Sequence, residues 1–283
     1  MNNKKGIIIK QISNLYTVKV EDKEYDSRAR GKFYIDNVTP LVGDQVIIDI
    51  KNKYILEILP RKNSLSRPSI ANVDACIIIS SVKEPKLDLN LLDKLLAIVI
   101  NEKVEPIICF TKLDLLSDEE LKEINFLIDY YQKIGIKTFT NTNLKLLIKA
   151  IKNKVIVLTG QSGAGKSTLL NKLDESFNIK TNKISKALGR GVHTTRHVEL
   201  FSYKESLIAD TPGFSSLDIN KLTNEEIKNT FPEFKVNCQF KDCNHINEKK
   251  CQVKKDLEDN IILKSRYNNY LKFVREKWKY QLQ

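Results

Sequence analysis

The pattern G-x-x-x-x-G-K-S occurs once in this chain, as Gly160-Gln161-Ser162-Gly163-Ala164-Gly165-Lys166-Ser167, and the rest of the chain is interpreted from it. The apolar residues 154–159 before it predict a buried β-strand, and residues 167–173 after it predict the start of a helix. A glycine-rich turn between a strand and a helix lets backbone N–H groups surround phosphate oxygens. An ordinary turn is the alternative, but strand, loop, Lys-Ser pair and helix in register favour a phosphate-binding loop.

Two residues at the end of this loop predict particular contacts with a nucleoside triphosphate. The Lys166 ammonium is expected to reach the β- and γ-phosphates. The Ser167 hydroxyl is expected to bind the Mg²⁺ that accompanies the nucleotide.

The composition is that of a basic globular protein of 283 residues, 41% hydrophobic and 29% charged, with a net charge of +12. This length predicts two or three domains. The charge favours a polyanionic partner, although a generally lysine-rich proteome would give the same balance. The apolar run 95–100 is far shorter than the roughly 20 residues of a membrane span, and residues 6–9 are too short for a signal-peptide core. We therefore expect a cytoplasmic protein that does not bind a membrane.

Residues 1–68 are expected to form a small all-β barrel of the oligonucleotide-binding (OB) kind. Turn residues separate five short β-like runs, at 6–10, 15–20, 31–35, 45–50 and 54–58. Residues 60–68, which begin and end with Pro and Arg, are expected to be a linker.

From residue 72 the pattern alternates between strand and helix. Strands are predicted at 75–80, 106–110 and 137–140, and helices at 89–101, 118–134 and 143–152. Continuous apolar strands separated by helices predict a doubly wound α/β sheet, which binds ligands at the carboxyl ends of its strands.

Thr111-Lys112-Leu113-Asp114 follows one of these strands directly. A carboxylate at Asp114 can accept hydrogen bonds from both N1–H and the exocyclic amine of guanine, a pairing that adenine does not offer. The aliphatic part of Lys112 can cover the face of the base. T-K-x-D is a weak signal alone, but beside a phosphate loop it predicts guanine recognition.

Two further elements follow the phosphate loop. A long segment without periodicity contains Gly189-Arg190-Gly191-Val192-His193-Thr194-Thr195 and is expected to sense the γ-phosphate. One threonine of the pair Thr194-Thr195 can ligate Mg²⁺ through its hydroxyl while its N–H meets the γ-phosphate; Thr194 is the candidate ligand, but the sequence leaves open which of the two it is. Strands are predicted at 198–201 and 206–209, and the second ends in Asp210-Thr211-Pro212-Gly213. Asp210 is expected to hold the Mg²⁺ water shell and the Gly213 N–H to contact the γ-phosphate.

Four potential metal ligands are clustered near the C-terminus with the spacing C-x4-C-x-H-x5-C: Cys238, Cys243, His245 and Cys251. Three thiolates and one imidazole suit tetrahedral Zn²⁺, so one zinc ion per chain is predicted. Cys76 and Cys109 lie in apolar strand patterns and are expected to be small buried hydrophobic residues.

The order of these motifs is that of a circular permutation. In ordinary small GTPases the phosphate loop comes first and T-K-x-D late, whereas here T-K-x-D comes some 50 residues before the phosphate loop. The chain therefore resembles the circularly permuted GTPases. With a barrel in front and the zinc spacing behind, it resembles the ribosome small subunit-dependent GTPase A family over essentially its whole length.

That resemblance implies an OB barrel at 1–68, a permuted GTPase domain at 69–222 and a mainly helical zinc-binding domain at 223–283. It implies a monomer that hydrolyses GTP to GDP, binds the small ribosomal subunit and its rRNA, acts late in subunit maturation, and is stimulated by that subunit. The predicted GTP-binding residues, at the positions of the family's nucleotide motifs, are Thr111, Lys112, Asp114, Gly160, Gln161, Ser162, Gly163, Ala164, Gly165, Lys166, Ser167, Thr168 and Asp210.

The chain departs from the family pattern in three places. Thr111 stands where the family usually has asparagine, and Val192 is inserted in the switch element. Thr140-Asn141 is a poor match to the expected S-A element, so the guanine O6 contact stays unassigned.

Phe214 follows D-T-P-G, where Ras-like enzymes place the glutamine that orients the attacking water. The isolated protein is therefore expected to be slow. His193 is the candidate for positioning the water once the ribosome orders its loop, and the alternative is a histidine that only contacts loop backbone. The predicted catalytic residues are His193, Thr195 and Gly213.

A single C-terminal helix is predicted from residue 256 to 280, with basic residues interleaved with Tyr267, Tyr270, Phe273 and Trp278. Its aromatic spacing suits either an rRNA-facing surface or a stripe packed on its own domain. Two rival functions stay open: a non-ribosomal signalling GTPase, and a non-catalytic RNA-binding module in which GTP only sets the conformation.

Overall fold

A closed barrel of five strands forms the N-terminal part of the chain. The computed structural model describes residues 3–31, 33, 38–66, 69–173, 198–209 and 219–280. The barrel strands are β1 (Asn3–Ile12), β2 (Leu15–Val20), β3 (Lys23–Ala29), β4 (Gln45–Asp49) and β5 (Tyr54–Ile58). Their order is β1-β2-β3-β5-β4, and antiparallel pairing of β1 with β4 closes the barrel. The predicted OB-like barrel is confirmed.

The third barrel strand is not where the sequence predicted it. A strand at 31–35 was expected, but Gly31 lies in a turn and Phe33 is helical, while β3 occupies residues 23–29. The reason is that Ser27, a polar residue only 1% exposed, takes an interior position of β3. A strand whose buried face carries serine lacks the apolar alternation by which strands are recognised.

The predicted linker at 60–68 is also partly wrong, because strands β6 (Ser64–Ser66) and β7 (Ser69–Ala71) form an antiparallel pair there. Arg61 binds the buried Asp44 carboxylate with two hydrogen bonds, Nε–Oδ1 and Nη2–Oδ2, both 2.7 Å long. A Cβ on Gly43, whose φ is +90°, would lie 2.0 Å from the Ala71 carbonyl oxygen. This bidentate ion pair and close backbone contact hold the segment against the barrel.

The α/β part contains one sheet of six strands with the order β10-β9-β8-β11-β13-β12. The β9/β10 and β11/β13 pairs are parallel, and β12 joins the edge antiparallel to β13. The elements are β8 (Ala75–Ser81), α1 (Leu89–Asn101), β9 (Glu105–Thr111), α2 (Asp118–Lys133), β10 (Lys137–Thr140), α3 (Leu144–Ile151), β11 (Val155–Gly160), α4 (Lys166–Leu173), β12 (Leu200–Tyr203) and β13 (Ser206–Ala209). The predicted α/β class is confirmed, and Cys76 and Cys109 are fully buried as expected.

Local signals explain where the first two helices begin. The Asp88 carboxylate accepts hydrogen bonds from the backbone N–H groups of Asn90 and Leu91 at the start of α1. Ser117 and Glu120 form a reciprocal capping box at the start of α2. Each side chain satisfies N–H groups that have no partner within the helix.

The C-terminal part contains α5 (Asn224–Asn229), α6 (Gln252–Glu258) and α7 (Lys264–Tyr280). The single helix predicted from 256 to 280 is therefore wrong. Asn260 has a positive φ of 56°, and the Asp256 carbonyl accepts hydrogen bonds from the N–H groups of Ile261 and Ile262. This is the left-handed geometry that ends helices, and it separates α6 from α7.

The aromatic stripe of α7 is packed inside the C-terminal part. Tyr267, Tyr270 and Phe273 are at most 8% exposed and lie in one hydrophobic cluster with Phe231 and Phe234. For these three residues the packed stripe, rather than the rRNA-facing surface, is the correct interpretation.

The chain divides into two compact units. The first comprises residues 1–77, 143–159 and 165–214, and includes the barrel with helices α3 and α4. The second comprises residues 78–142, 160–164 and 215–283, and includes α1, α2 and the C-terminal helices. The three-domain division with boundaries at 68 and 222 stays a prediction.

Candidate nucleotide site and metal centre

The loop between β11 and α4 adopts a conformation that requires its glycines. Gly160, Gly163 and Gly165 have φ values of +141°, +76° and +92°. A Cβ on Gly160 would lie 2.1 Å from the Ile79 carbonyl oxygen, so no other residue fits there without a shift of the backbone. The Ala164 N–H donates to the Gln161 carbonyl at 3.1 Å. A loop with glycines in such positive-φ conformations can direct successive backbone N–H groups into a concave site that binds an anion.

Helix α4 begins directly after this loop. The Leu169 N–H donates to the Gly165 carbonyl at 2.8 Å, which closes the first turn. Lys166 is half-buried, whereas Ser167 and Thr168 are exposed. Leu169 and Leu170 are buried and anchor the helix.

The T-K-x-D stretch at the end of β9 is joined to the phosphate loop. Thr111 is 3% exposed, and its hydroxyl donates to the Ala164 carbonyl at 2.7 Å. Lys112 has a left-handed φ of 64°, and Asp114 is exposed within the short 3₁₀ turn 113–115. A threonine can make this hydrogen bond in place of the asparagine that the family usually has, because a hydroxyl supplies one donor.

A segment that sequence reasoning missed lies against both motifs. The Lys112 ammonium donates to the Glu84 carbonyl, and the Val82 N–H donates to the Thr111 carbonyl at 3.1 Å. Pro85 Cδ is 3.6 Å from the position that a Cβ on Gly163 would occupy. The available signal was the position of residues 82–88, directly after a predicted parallel strand, where ligand-binding loops of open α/β sheets are found.

The remaining predicted nucleotide residues lie outside the described part of the chain. These are His193, Thr194, Thr195, Asp210 and Gly213, and Phe214 and His197 lie outside it as well. The guanine O6 contact was left unassigned at Thr140-Asn141. Thr140 ends β10, and the N–H of Asn141, the next residue, donates to the Phe110 carbonyl at 2.9 Å.

The four predicted metal ligands are brought together in the C-terminal part. One ligand atom from each of Cys238, Cys243, His245 and Cys251 lies within 4.8 Å of all the others. His245 Nδ1 is 3.5, 3.4 and 3.3 Å from the sulfur atoms of Cys238, Cys243 and Cys251. The cluster could therefore hold a metal ion.

Neighbouring groups fix the backbone around this cluster. The Tyr267 hydroxyl donates to the His245 carbonyl, and the Tyr270 hydroxyl donates to the Asn244 carbonyl, both at 2.6 Å. The Glu248 carboxylate accepts hydrogen bonds from two backbone N–H groups of the same loop at 2.8 Å. Such outer contacts orient the atoms that bind a metal.

Burial sets the protonation of the ligands in the metal-free chain. It raises the pKa of Cys243 to about 12, raises the pKa of Cys251, and lowers the pKa of His245. The imidazole is then neutral, as a metal ligand must be, whereas the thiols of Cys243 and Cys251 keep their protons until a cation displaces them. Cys243 and Cys251 are buried and Cys238 is half-buried, and a divalent cation would compensate the charge of their thiolates, so the donor set fits such an ion.

A parallel α/β sheet with T-K-x-D at one strand end, a phosphate loop that comes later in the chain, and a preceding β-barrel define a circularly permuted GTPase. A family model described as "RsgA GTPase" matches residues 58–220, and one described as "RsgA N-terminal domain" matches residues 5–55. The chain belongs to the RsgA GTPase family and is accordingly a GTP hydrolase. The resemblance inferred from the motifs is confirmed.

Several relatives are similar to this chain over nearly its full length. The small ribosomal subunit biogenesis GTPase RsgA of Latilactobacillus sakei is 43% identical, with 96% of this chain and 95% of that protein covered. The protein of the same name in Halalkalibacterium halodurans is 44% identical, with 96% of this chain and 96% of that protein covered. Among solved structures, YloQ, a circularly permuted GTPase, has a TM-score of 0.84 at 36% identity, covering 98% of this chain and 96% of its own. YjeQ from Thermotoga maritima has a TM-score of 0.83 at 32% identity, covering 98% and 99%.

Within the described residues, no helix is both long and apolar enough to cross a membrane.

Proposed function

We propose that this GTPase binds the small ribosomal subunit and acts late in its maturation, with GTP hydrolysis that the subunit stimulates. The observation that carries the proposal is the hydrogen bond from Thr111 to the Ala164 carbonyl. It ties the stretch that would recognise the base to the loop that would hold the phosphates, in a chain similar to proteins named for small-subunit biogenesis.

The nucleotide is GTP, with the base read by the T-K-x-D stretch. The exposed Asp114 carboxylate accepts hydrogen bonds from guanine N1–H and from its amine, and the Lys112 stem covers the base. Lys166 binds the β- and γ-phosphates, and the backbone N–H groups of the loop surround them. The nucleotide-binding set is the one predicted at the positions of the family motifs: Thr111, Lys112, Asp114, Gly160, Gln161, Ser162, Gly163, Ala164, Gly165, Lys166, Ser167, Thr168 and Asp210.

Ser167, Thr194 and Asp210 would hold the Mg²⁺ that accompanies GTP. When bound, the ion would neutralise negative charge on the phosphates. Thr195 and the Gly213 N–H contact the γ-phosphate, and His193 positions the attacking water because Phe214 cannot. Turnover is slow until the protein binds the small subunit.

One Zn²⁺ per chain is bound by the Cys₃His cluster. Three sulfur atoms and one imidazole nitrogen within 4.8 Å of one another are the donor set that tetrahedral Zn²⁺ prefers. The ion is structural, because a four-ligand protein site leaves no open position for a substrate.

The barrel and the zinc-bearing part contact rRNA on the cytoplasmic ribosome, and the protein acts as a monomer. The net charge of +12 favours a phosphate-rich partner.

The test measures GTP hydrolysis with and without purified small subunits. We expect stimulation of roughly several hundredfold or more, compared with about 10³–10⁵ in arginine-finger systems. His193→Ala should lower the stimulated rate while the GTP affinity stays unchanged. Unchanged stimulated turnover in His193→Ala would overturn that catalytic assignment alone.

Base recognition is tested with Asp114→Asn. The amide can donate to the O2 atom of xanthine, so the variant should prefer XTP to GTP, whereas wild type prefers GTP. Asp118→Asn, the same change four residues further on at the start of α2, is the matched control and should keep the GTP preference. A GTP-preferring Asp114→Asn variant would refute the guanine assignment.

The two rival functions give different results in the same assays. A signalling GTPase would hydrolyse GTP without stimulation by small subunits. A non-catalytic module would bind subunits in a nucleotide-dependent way without turnover.

A further inference from the structure

A basic groove lies between helix α3 and the turn that joins β12 to β13. Its volume is about 290 Å³. Its lining residues, all in the first compact unit, are Lys145, Ile148, Lys149, Lys152, Tyr203, Lys204, Glu205 and Ser206. We refer to these eight residues as the lysine groove.

The charge of the lysine groove is unbalanced, with four lysines and one carboxylate. Lys152 pairs with Glu205 at 2.9 Å, and both side chains are about 60% exposed. Lys204 lies over the Tyr203 ring, 5.4 Å from its centre. Lys145 and Lys149 are exposed, and neither has a carboxylate partner in the described part of the chain. The groove therefore presents a net positive charge to solvent.

This arrangement is unfavourable for the first turn of helix α3. Lys145 and Lys149 are one turn apart on the same helix, and like charges at this spacing repel. Lys145 is also in the first turn, which has no acidic residue, although the helix N-terminus favours negative charge. Lys149 lies in the last turn, where the helix favours a cation, but no carboxylate in the described part of the chain compensates Lys145, so an external anion would.

The charge of the chain is distributed unevenly among neighbouring grooves. A second groove, on the barrel side of the same β12–β13 turn, is lined by three lysines and three carboxylates and is neutral: Lys5, Lys19, Lys204, Glu21, Asp22 and Glu205. Two adjacent grooves of one basic protein thus differ in charge, and only that beside α3 is positive.

We propose that the lysine groove binds the sugar–phosphate backbone of RNA. A row of lysines along a concave surface suits a chain of phosphates, because each ammonium neutralises one phosphate and releases a bound counterion. The buried Tyr203 and half-buried Ile148 give the groove an apolar floor for the sugars. The contact is independent of base sequence. Assigning this RNA to the small ribosomal subunit rests on the proposed function.

The test compares wild type with Lys145→Gln/Lys149→Gln in two binding assays, one with a uridine 30-mer and one with purified small subunits. Salt is titrated in both. Removing two phosphate contacts should lower the slope of log affinity against log salt by about 1.4 to 1.8, and weaken binding about tenfold near 0.1 M salt. Glu205→Gln should shift affinity in the opposite direction, since it removes the only carboxylate of the groove.

Two controls match the double variant. Lys145→Arg/Lys149→Arg keeps the charge and should keep wild-type binding. Lys122→Gln/Lys133→Gln removes the same charge from helix α2, where five carboxylates surround the lysines, and should leave the salt slope unchanged. Circular dichroism and intrinsic GTP hydrolysis should be the same in all variants, because none of these lysines belongs to the nucleotide site.

The outcomes separate the groove from the proposed function. Reduced slopes with both probes support the groove on rRNA. A reduced slope with the 30-mer, together with no wild-type binding to subunits, supports the groove and refutes the ribosomal function. Wild-type slopes in Lys145→Gln/Lys149→Gln with both probes overturn the proposal, and would assign the groove to an acidic protein surface instead.

Discussion

Replacing Arg266 with methionine is the sharpest test of what stabilises the C-terminal part. Arg266 lies on α7 and is 1% exposed. Its guanidinium binds Asp93 of α1 at 2.6 Å, and Glu233 at 2.7 and 3.1 Å. Burial alone would lower the pKa of this guanidinium, but the two carboxylates hold it above its ordinary value. The substitution keeps much of the side-chain volume and removes the charge.

The cost follows from the carboxylates that remain. Asp93 and Glu233 are themselves almost fully buried, with side chains 0% and 5% exposed. Asp93 would keep hydrogen bonds from Tyr131 and Asn269, but these donors are neutral. Removing one partner of a buried ion pair costs about 3–5 kcal/mol. Total stabilities are about 5–15 kcal/mol, so the loss would be a large share of the whole.

The assay is urea unfolding followed by circular dichroism. With a denaturant slope of about 3 kcal/mol per molar, the midpoint should fall by about 1 M or more. Arg275→Met, at an exposed position of the same helix, is the control and should change it little. Adding Glu233→Gln to Arg266→Met should restore part of the stability, since it removes one uncompensated charge. A loss below about 1 kcal/mol, or a Glu233→Gln addition that destabilises further, would refute the reasoning.

Three further predictions concern the nucleotide and metal sites. Gly160→Ala places a Cβ 2.1 Å from the Ile79 carbonyl oxygen and should weaken binding of a fluorescent GDP analogue at least tenfold. The control is Gly31→Ala, where a Cβ meets open space, and it should leave this binding unchanged. Thr111→Val leaves the buried Ala164 carbonyl without its 2.7 Å donor, at a cost of about 1–3 kcal/mol. This variant should bind the GDP analogue about tenfold more weakly, whereas Thr111→Ser keeps the hydroxyl and should bind it as wild type does. Cys243→Ser should release the metal and lower the melting temperature. Zinc per chain is measured with a colorimetric chelator, and the control Cys76→Ala should retain one ion. Equal metal contents in the two variants would contradict the assigned ligands.

Strongly patterned parts of this protein could be predicted from the sequence. The predicted bounds of α1 and β10 are those of the structure, because α1 has an Asp cap before it and an apolar face, and β10 lies between clear turns. The permuted order of T-K-x-D and the phosphate loop, and the spacing of the four metal ligands, needed no coordinates. Each depends only on residue type and on position along the chain, and both can be determined from the sequence.

Other features depend on contacts between distant residues. Strand β3 was missed because Ser27 is buried by the barrel around it, not by any apolar pattern of its own. Asn260 ends α6 through its left-handed backbone, which an asparagine permits but does not require.

The sequence alone therefore determined the class of protein, the nucleotide motifs and the metal ligands, since these rest on residue type and spacing. Only the tertiary structure decided that Thr111 contacts Ala164, that Glu84 and Pro85 lie against the two motifs, and that Arg266 is buried between two carboxylates. It also decided that α3 and the β12–β13 turn form one basic groove. In each of these cases the partners are far apart in the chain, and whether a polar group is satisfied or a charge compensated depends on which distant group folding brings within hydrogen-bond distance.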